Sequence, residues 1–193
     1  MKLLLIGPPG SGKGTQGVRL SERFGVEHIA AGDLLRHEVE TQTPLGQQVA
    51  DYLDRGELVP DQLIIDLVMP KVLAAAAANG YVLDGFPRSV GQAVEARRLA
   101  EREDSAATAA VFLDAPEDEL ADRLLKRAMT EGRSDDTAEV IHTRLRVFNE
   151  VTQPLLDFYA DRGLLHVVDA TKSVDDVTAA IIDALENAGR PAQ

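Results

Sequence analysis

The sequence predicts an α/β fold, a doubly wound five-stranded parallel sheet with helices on both faces. Three observations predict it. Short apolar runs recur along the chain, and most are continuous rather than alternating, as strands buried on both faces require. Longer amphipathic stretches separate them, which is the rhythm of strand and crossover helix. The first apolar run passes directly into a glycine-rich loop and then a helical pattern, the junction at which such sheets place a ligand. An α+β arrangement of the same elements is the alternative.

Taken in order, the expected strands are Lys2–Ile6, Glu27–Ala30, Tyr81–Asp84, Ala109–Asp114 and Leu164–Asp169. The expected helices are Lys13–Phe24, Leu34–Glu40, Leu45–Arg55, Asp61–Asn79, Ser89–Glu103, Pro116–Arg127, Thr137–Ala160 and Val174–Asn187. Two places break the rhythm. Between the second and third strands lie three helices where one crossover suffices, so an inserted helical segment is expected there. The polar, glycine-containing stretch "RAMTEGRSDDT" (127–137) separates two long helices and is longer than a tight turn. The tail "ENAGRPAQ" reads as frayed.

Bulk properties narrow the function. At 193 residues and 45% hydrophobic content, the chain suits one domain spanning 1–193. The apolar run Leu3–Ile6 is too short for a targeting segment, and the longest, Val72–Ala78, is far below the roughly 18 residues of a membrane helix. A cytoplasmic protein with no membrane partner is therefore expected. With no cysteine, neither a disulfide framework nor a thiolate zinc site can form, and the four histidines lack ligand spacing. A net charge of -12 argues against nucleic acid as a partner. The 20 Lys and Arg residues can still converge on one cleft and hold a small polyanion.

The glycine-rich loop says which polyanion. Gly7-x-x-x-x-Gly12-Lys13 has the spacing of a P-loop, whose backbone N–H groups curl around a phosphate while the lysine reaches the terminal phosphates. The helix opening at Lys13 adds its positive end. The general motif carries Ser or Thr directly after the lysine. Here Gly14 intervenes before Thr15, which disfavours a GTPase-type switch, as does the lack of an Asn-Lys-x-Asp segment. A second stretch, "YVLDGFPRSVGQ" (81–92), reads as a buried strand ending in Asp84, a turn at Gly85 and Pro87, and Arg88 just past the strand's carboxyl end. On its own terms that arginine is either a ligand group or a surface charge.

These stretches together are similar to the adenylate kinases, nucleoside monophosphate kinases of the short-lid type. "GPPGSGKGT" resembles their phosphate loop, and the resemblance implies ATP contacts from Gly10, Ser11, Gly12, Lys13, Gly14 and Thr15. "DGFPRSVGQ" resembles their second signature. It implies that Arg88 grips the acceptor monophosphate, that Gly85, Phe86 and Pro87 are substrate-binding beside it, that Gln92 reads the adenine edge, and that Asp84 holds Mg²⁺ through water. "AAGDLLR" (30–36) and "GELVPDQLI" (56–64) resemble the two ends of the monophosphate-binding segment 30–59, bringing Ala31, Arg36, Glu57, Leu58 and Val59 to the acceptor. Ala31 stands where a hydroxyl residue is usual, so a pyrimidine or guanine monophosphate kinase is the runner-up. "GRSDD" and "VIHTR" resemble the lid and the helix after it; Arg123 and Arg127 then face the donor phosphates, and Arg133 and Arg144 the phosphates in transfer. A lid at 127–137 is too short for a hairpin subdomain, since Arg127 and Arg133 can be at most about 20 Å apart. "ATKSV" (170–174) resembles the adenine-facing loop, with Lys172 offering its backbone carbonyl.

The resemblance implies reversible transfer between ATP and AMP giving two ADP, with Mg²⁺ and no zinc, by a monomer. Lys13, Arg88, Arg123, Arg127, Arg133 and Arg144 are the expected catalytic cations. A different class of protein, a nucleotide-sensing module that closes on ATP without transfer, needs only one nucleotide site.

Overall fold

A computed structural model describes residues 1–131 and 137–188. Five strands form one parallel sheet: β1 (Lys2–Ile6), β2 (Glu27–Ala30), β3 (Tyr81–Asp84), β4 (Ala109–Asp114) and β5 (Leu165–Asp169), in the order β2-β3-β1-β4-β5. β1 is central, with Leu4 beside Leu83 of β3 and Ala110 of β4. The chain moves out to one side of β1 for β2 and β3 and to the other for β4 and β5. A crevice therefore opens at the carboxyl end of β1, where the winding reverses.

The continuous apolarity of β1 has a simple cause, because both faces are covered. Leu4 and Ile6 point to one core with Ile29, Leu83 and Phe112. The helix α4 (Asp61–Ala78) closes that face with Ile64, Ile65, Val68, Met69 and Val72, and α5 (Val90–Glu101) adds Ala93 and Ala100. Leu3 and Leu5 point to the other face, where Leu20 of α1 (Lys13–Phe24) and Val177 and Ile181 of α9 (Val174–Ala188) meet Val82, Val111 and Leu113. A smaller cluster, Leu120, Leu124, Ile141 and Leu145, joins α6 (Glu117–Glu131) to α7 (Ala138–Val147). Between β2 and α4 stand α2 (Ala31–Glu40) and α3 (Pro44–Arg55), the two further helices of the expected insertion.

Several helix starts follow from local chemistry. The side chains of Thr43, Ser89 and Thr137 each accept from a backbone N–H three residues on, at 3.0, 3.1 and 3.3 Å. Most boundaries agree with expectation to within one or two residues, and three features differ by more. α2 begins at Ala31 rather than Leu34, with Ala30 at the cap position and no side-chain cap, so no polar residue marks the turn. α6 runs on to Glu131, past the expected end at Arg127, so the helix takes in the start of the polar break. The single helix expected over 137–160 is interrupted. After α7 a π-helical turn, Phe148–Thr152, precedes α8 (Pro154–Ala160), and Gln153 N donates to Phe148 O at 2.8 Å. Pro154 brings no N–H, so the regular ladder cannot pass it and the wider turn takes up the slack. Among the described residues, no helix is long and apolar enough to cross a membrane.

Candidate active site

A cleft of ≈ 940 Å³ lies beyond the carboxyl ends of β1 and β3. Its floor is the loop between β1 and α1. Gly10 and Gly12 take φ of 85° and 90°, left-handed values that a side chain resists. At Gly10 there is no room either, since a Cβ would stand 2.9 Å from Leu120 O. The loop is thereby pressed against α6. Ser11 is buried, whereas Gly14 and Thr15 are exposed at the first turn of α1. All six predicted loop residues, from Gly10 to Thr15, border the cleft. Lys13 folds back over the loop, donating to Gly7 O and Pro8 O at 2.8 Å each.

The cations meet here. Asp84 ends β3 and lies across from Gly14, where a Cβ would be 3.8 Å from its Oδ2. Arg88 follows on the next turn and donates from Nε to Gly85 O at 2.8 Å. Thr152, on the π-helical turn, donates to Arg88 O at 2.9 Å and pins that turn in place. Protein crowding and the neighbouring Arg88 and Arg127 push the Lys13 ammonium down to about 8, against a partial upward pull from Asp84. Crowding likewise lowers Arg88, helped by Arg144 and Arg36 and opposed by Asp84. The Arg88 side chain remains open to water in the cleft. Cations that depress one another in this way suit a polyanion, whose charge would relieve the repulsion.

The remaining predicted residues surround that cluster. Arg36, on α2, is ion-paired with Asp33, and both border the cleft. Ala31 is almost fully buried at its edge. Gly56 approaches α7 so closely that a Cβ would sit 3.0 Å from Arg144 Cγ, which places Glu57, Leu58 and Val59 beside that arginine on the same wall. Arg123 reaches from α6 to the carbonyl of Ala170 at 2.8 Å and pairs with Glu119. Arg127, Gly85, Pro87, Gln92 and Lys172 line the cleft as well; Lys172 Nζ stands 3.9 Å from Asp169.

One described residue among those predicted does not border it. Phe86 is 2% exposed and packs in the core with Leu83 and Ala93, so it shapes the turn from behind instead of touching a ligand. Arg133 lies outside the described residues, as does the rest of 132–136 in the expected lid. Sequence reasoning missed Gln16. It is buried at the cleft, donates to Val174 O at 3.0 Å and accepts from Thr178 at 2.7 Å, tying α1 to α9. Its signal was a lone amide inside the first turn of α1, next to Thr15.

A family model described as adenylate kinase matches residues 5–164. The chain belongs to the adenylate kinase family. An adenylate kinase of Nocardia farcinica is 45% identical over 185 residues, covering 96% of this chain and 99% of the relative. Those of Kocuria rhizophila and Micrococcus luteus are 44% and 41% identical, covering 98% and 90% of their own lengths. The members of the family are nucleoside monophosphate kinases, and the chain is an enzyme of that class.

Proposed function

We propose that the chain transfers the γ-phosphoryl group of MgATP to AMP, giving two ADP, at the cleft between the phosphate loop and Arg88. The observation that carries this reading is the electrostatic contact of Lys13, Arg88, Arg127, Arg144 and Arg36 around a single cavity. Donor-side cations and acceptor-side cations in one seat suit two phosphate chains end to end. A binding module for one nucleotide has no use for both sets.

The chemistry needs no general base. The acceptor is a phosphate monoester whose second pKa near 6 leaves it a dianion at neutral pH. A bond forms from an AMP phosphate oxygen to the γ-phosphorus as the bond to the β-phosphate oxygen breaks, and ADP leaves on each side. The protein holds two mutually repelling anions in line and stabilises charge on the group in flight. Lys13 and the loop N–H groups hold the donor, with Arg123 and Arg127; Arg36 and Arg88 hold the acceptor; Arg144 lies between, and Arg133 is assigned with it. The segment 30–59 and the lid 127–137 act as covers that keep water from taking the phosphoryl group.

Mg²⁺ fits the donor set. Among the described residues no three His, Asp or Glu side chains gather into a cage, but a Mg²⁺ held mainly by phosphates and waters needs only one or two carboxylates. Asp84, half-buried at the loop, supplies one, and the ion would neutralise phosphate charge there.

The test is ADP formation from ATP with AMP, UMP, CMP or GMP supplied in turn, with and without Mg²⁺. Mg²⁺-dependent turnover with AMP far above the others supports the reading; turnover only with another monophosphate moves the acceptor, and none with any refutes transfer.

A further inference from the structure

The amide of Gln92 is held on two sides by partners that cannot exchange roles. Its Oε1 accepts from the Arg88 backbone N–H at 2.7 Å, and its Nε2 donates to Asp61 Oδ1 at 2.7 Å. A backbone N–H only donates and a carboxylate only accepts. Turning the amide over would set N–H against N–H and oxygen against carboxylate, so a single orientation is stable. This is not the hydrogen bonding that the local sequence suggests. Ser89-x-x-Gln92 reads as a capping box, in which the glutamine returns to the Ser89 N–H. Ser89 does accept from Gln92 N, but the amide reaches one residue further back, to Arg88, and forward to a carboxylate on another helix.

Gln92 is 2% exposed and borders the cleft. With one lone pair and one N–H already used, it has one acceptor and one donor left, in an order that Asp61 and Arg88 fix. On the reading that a monophosphate's base meets Gln92, we propose that Asp61 is a specificity-determining positioning residue. It sets the donor–acceptor order that Gln92 presents to the base. Adenine offers an exocyclic N–H beside a ring nitrogen acceptor. A 6-oxopurine offers a carbonyl beside a ring N–H, the reverse order. A locked amide matches one and opposes the other, while an amide that can turn over serves both.

Inosine 5′-monophosphate differs from AMP only at that edge, which makes the pair the appropriate probe. The experiment measures kcat and KM for AMP and for inosine monophosphate in the unmodified enzyme, Asp61→Ala and Asp61→Asn, with melting temperatures recorded for each. The unmodified enzyme should favour AMP in kcat/KM by at least about a hundredfold. Asp61→Ala should narrow that preference about tenfold, mainly through a higher KM for AMP. Asp61→Asn keeps an acceptor but adds a donor that can meet a turned-over amide, so it should narrow the preference by a smaller amount, about threefold. Asp61 also opens α4, and loss of its charge at that helix end would lower stability in both variants and slow both substrates alike. A folded Asp61→Ala enzyme with an unchanged AMP-to-inosine ratio overturns the proposal. Asp61→Leu replaces it should the alanine variant not fold. If the unmodified enzyme turns over no monophosphate, the proposed reaction fails, and equilibrium binding of the two nucleotides to the same proteins decides the role of Asp61 separately.

Discussion

Lys13 gives a quantitative test of the cationic seat, through pH. In the free protein its ammonium sits at about 8, lowered first by crowding and then by Arg88 and Arg127. A triphosphate placed against it reverses both influences, supplying a counter-charge and drawing the arginines to itself, so the bound lysine stays charged well above pH 9. The sign follows. Below about pH 7, free and bound protein are both protonated and ATP affinity is flat. As pH rises through 8, the free protein gives up a proton that the complex keeps, and affinity falls. One pH unit beyond 8 leaves about a tenth of the free protein charged, so MgATP should bind about tenfold more weakly at pH 9 than at pH 7, close to 1.4 kcal/mol. At pH 8, binding should take up about half a proton. Isothermal titration calorimetry in two buffers of different ionisation enthalpy, such as HEPES and Tris, reads that uptake directly. Lys13→Arg should flatten the profile, because a guanidinium stays charged throughout this range. Constant affinity from pH 7 to 9 with no proton uptake would show that Lys13 is not the group facing the phosphates, and the electrostatic reading of the cleft would fall with it.

Other outcomes follow from single residues. Arg88→Ala removes a cation whose side chain, among the described residues, hydrogen-bonds the Gly85 carbonyl alone, so kcat/KM for AMP should drop at least about a hundredfold with the melting temperature little changed; near-normal kinetics would take Arg88 out of the reaction. Gly10→Ala meets both a φ of 85° and the Leu120 carbonyl 2.9 Å from the new Cβ, and should cost about 2 kcal/mol or more in urea unfolding while weakening ATP binding. Leu113→Ala empties a fully buried position between β4 and α9 and should cost about 2–5 kcal/mol in the same assay without altering KM for either nucleotide.

Much of this protein is legible without coordinates. Strand identity follows from runs such as Leu3–Ile6 whose alternate residues enter opposite cores, and the loop follows from glycines at 10 and 12 that the backbone needs at positive φ. These are short-range constraints, set by a residue and its near neighbours, and so the strands, the phosphate loop and the kinds of side chain available can be read from the chain alone. The helix interruption at 148–152 was less legible, because the proline that causes it stands beyond the residues it displaces. Convergence came from long-range packing. Parallel pairing of β1 with β3 sets Lys13 against Asp84 and Arg88, and packing brings α7 with Arg144 and α2 with Arg36 to the same point. The same packing turned Phe86 into the core and set Asp61 against Gln92, 31 residues away. Periodicity records which face of an element is buried; it carries no information on which distant charge that face will meet.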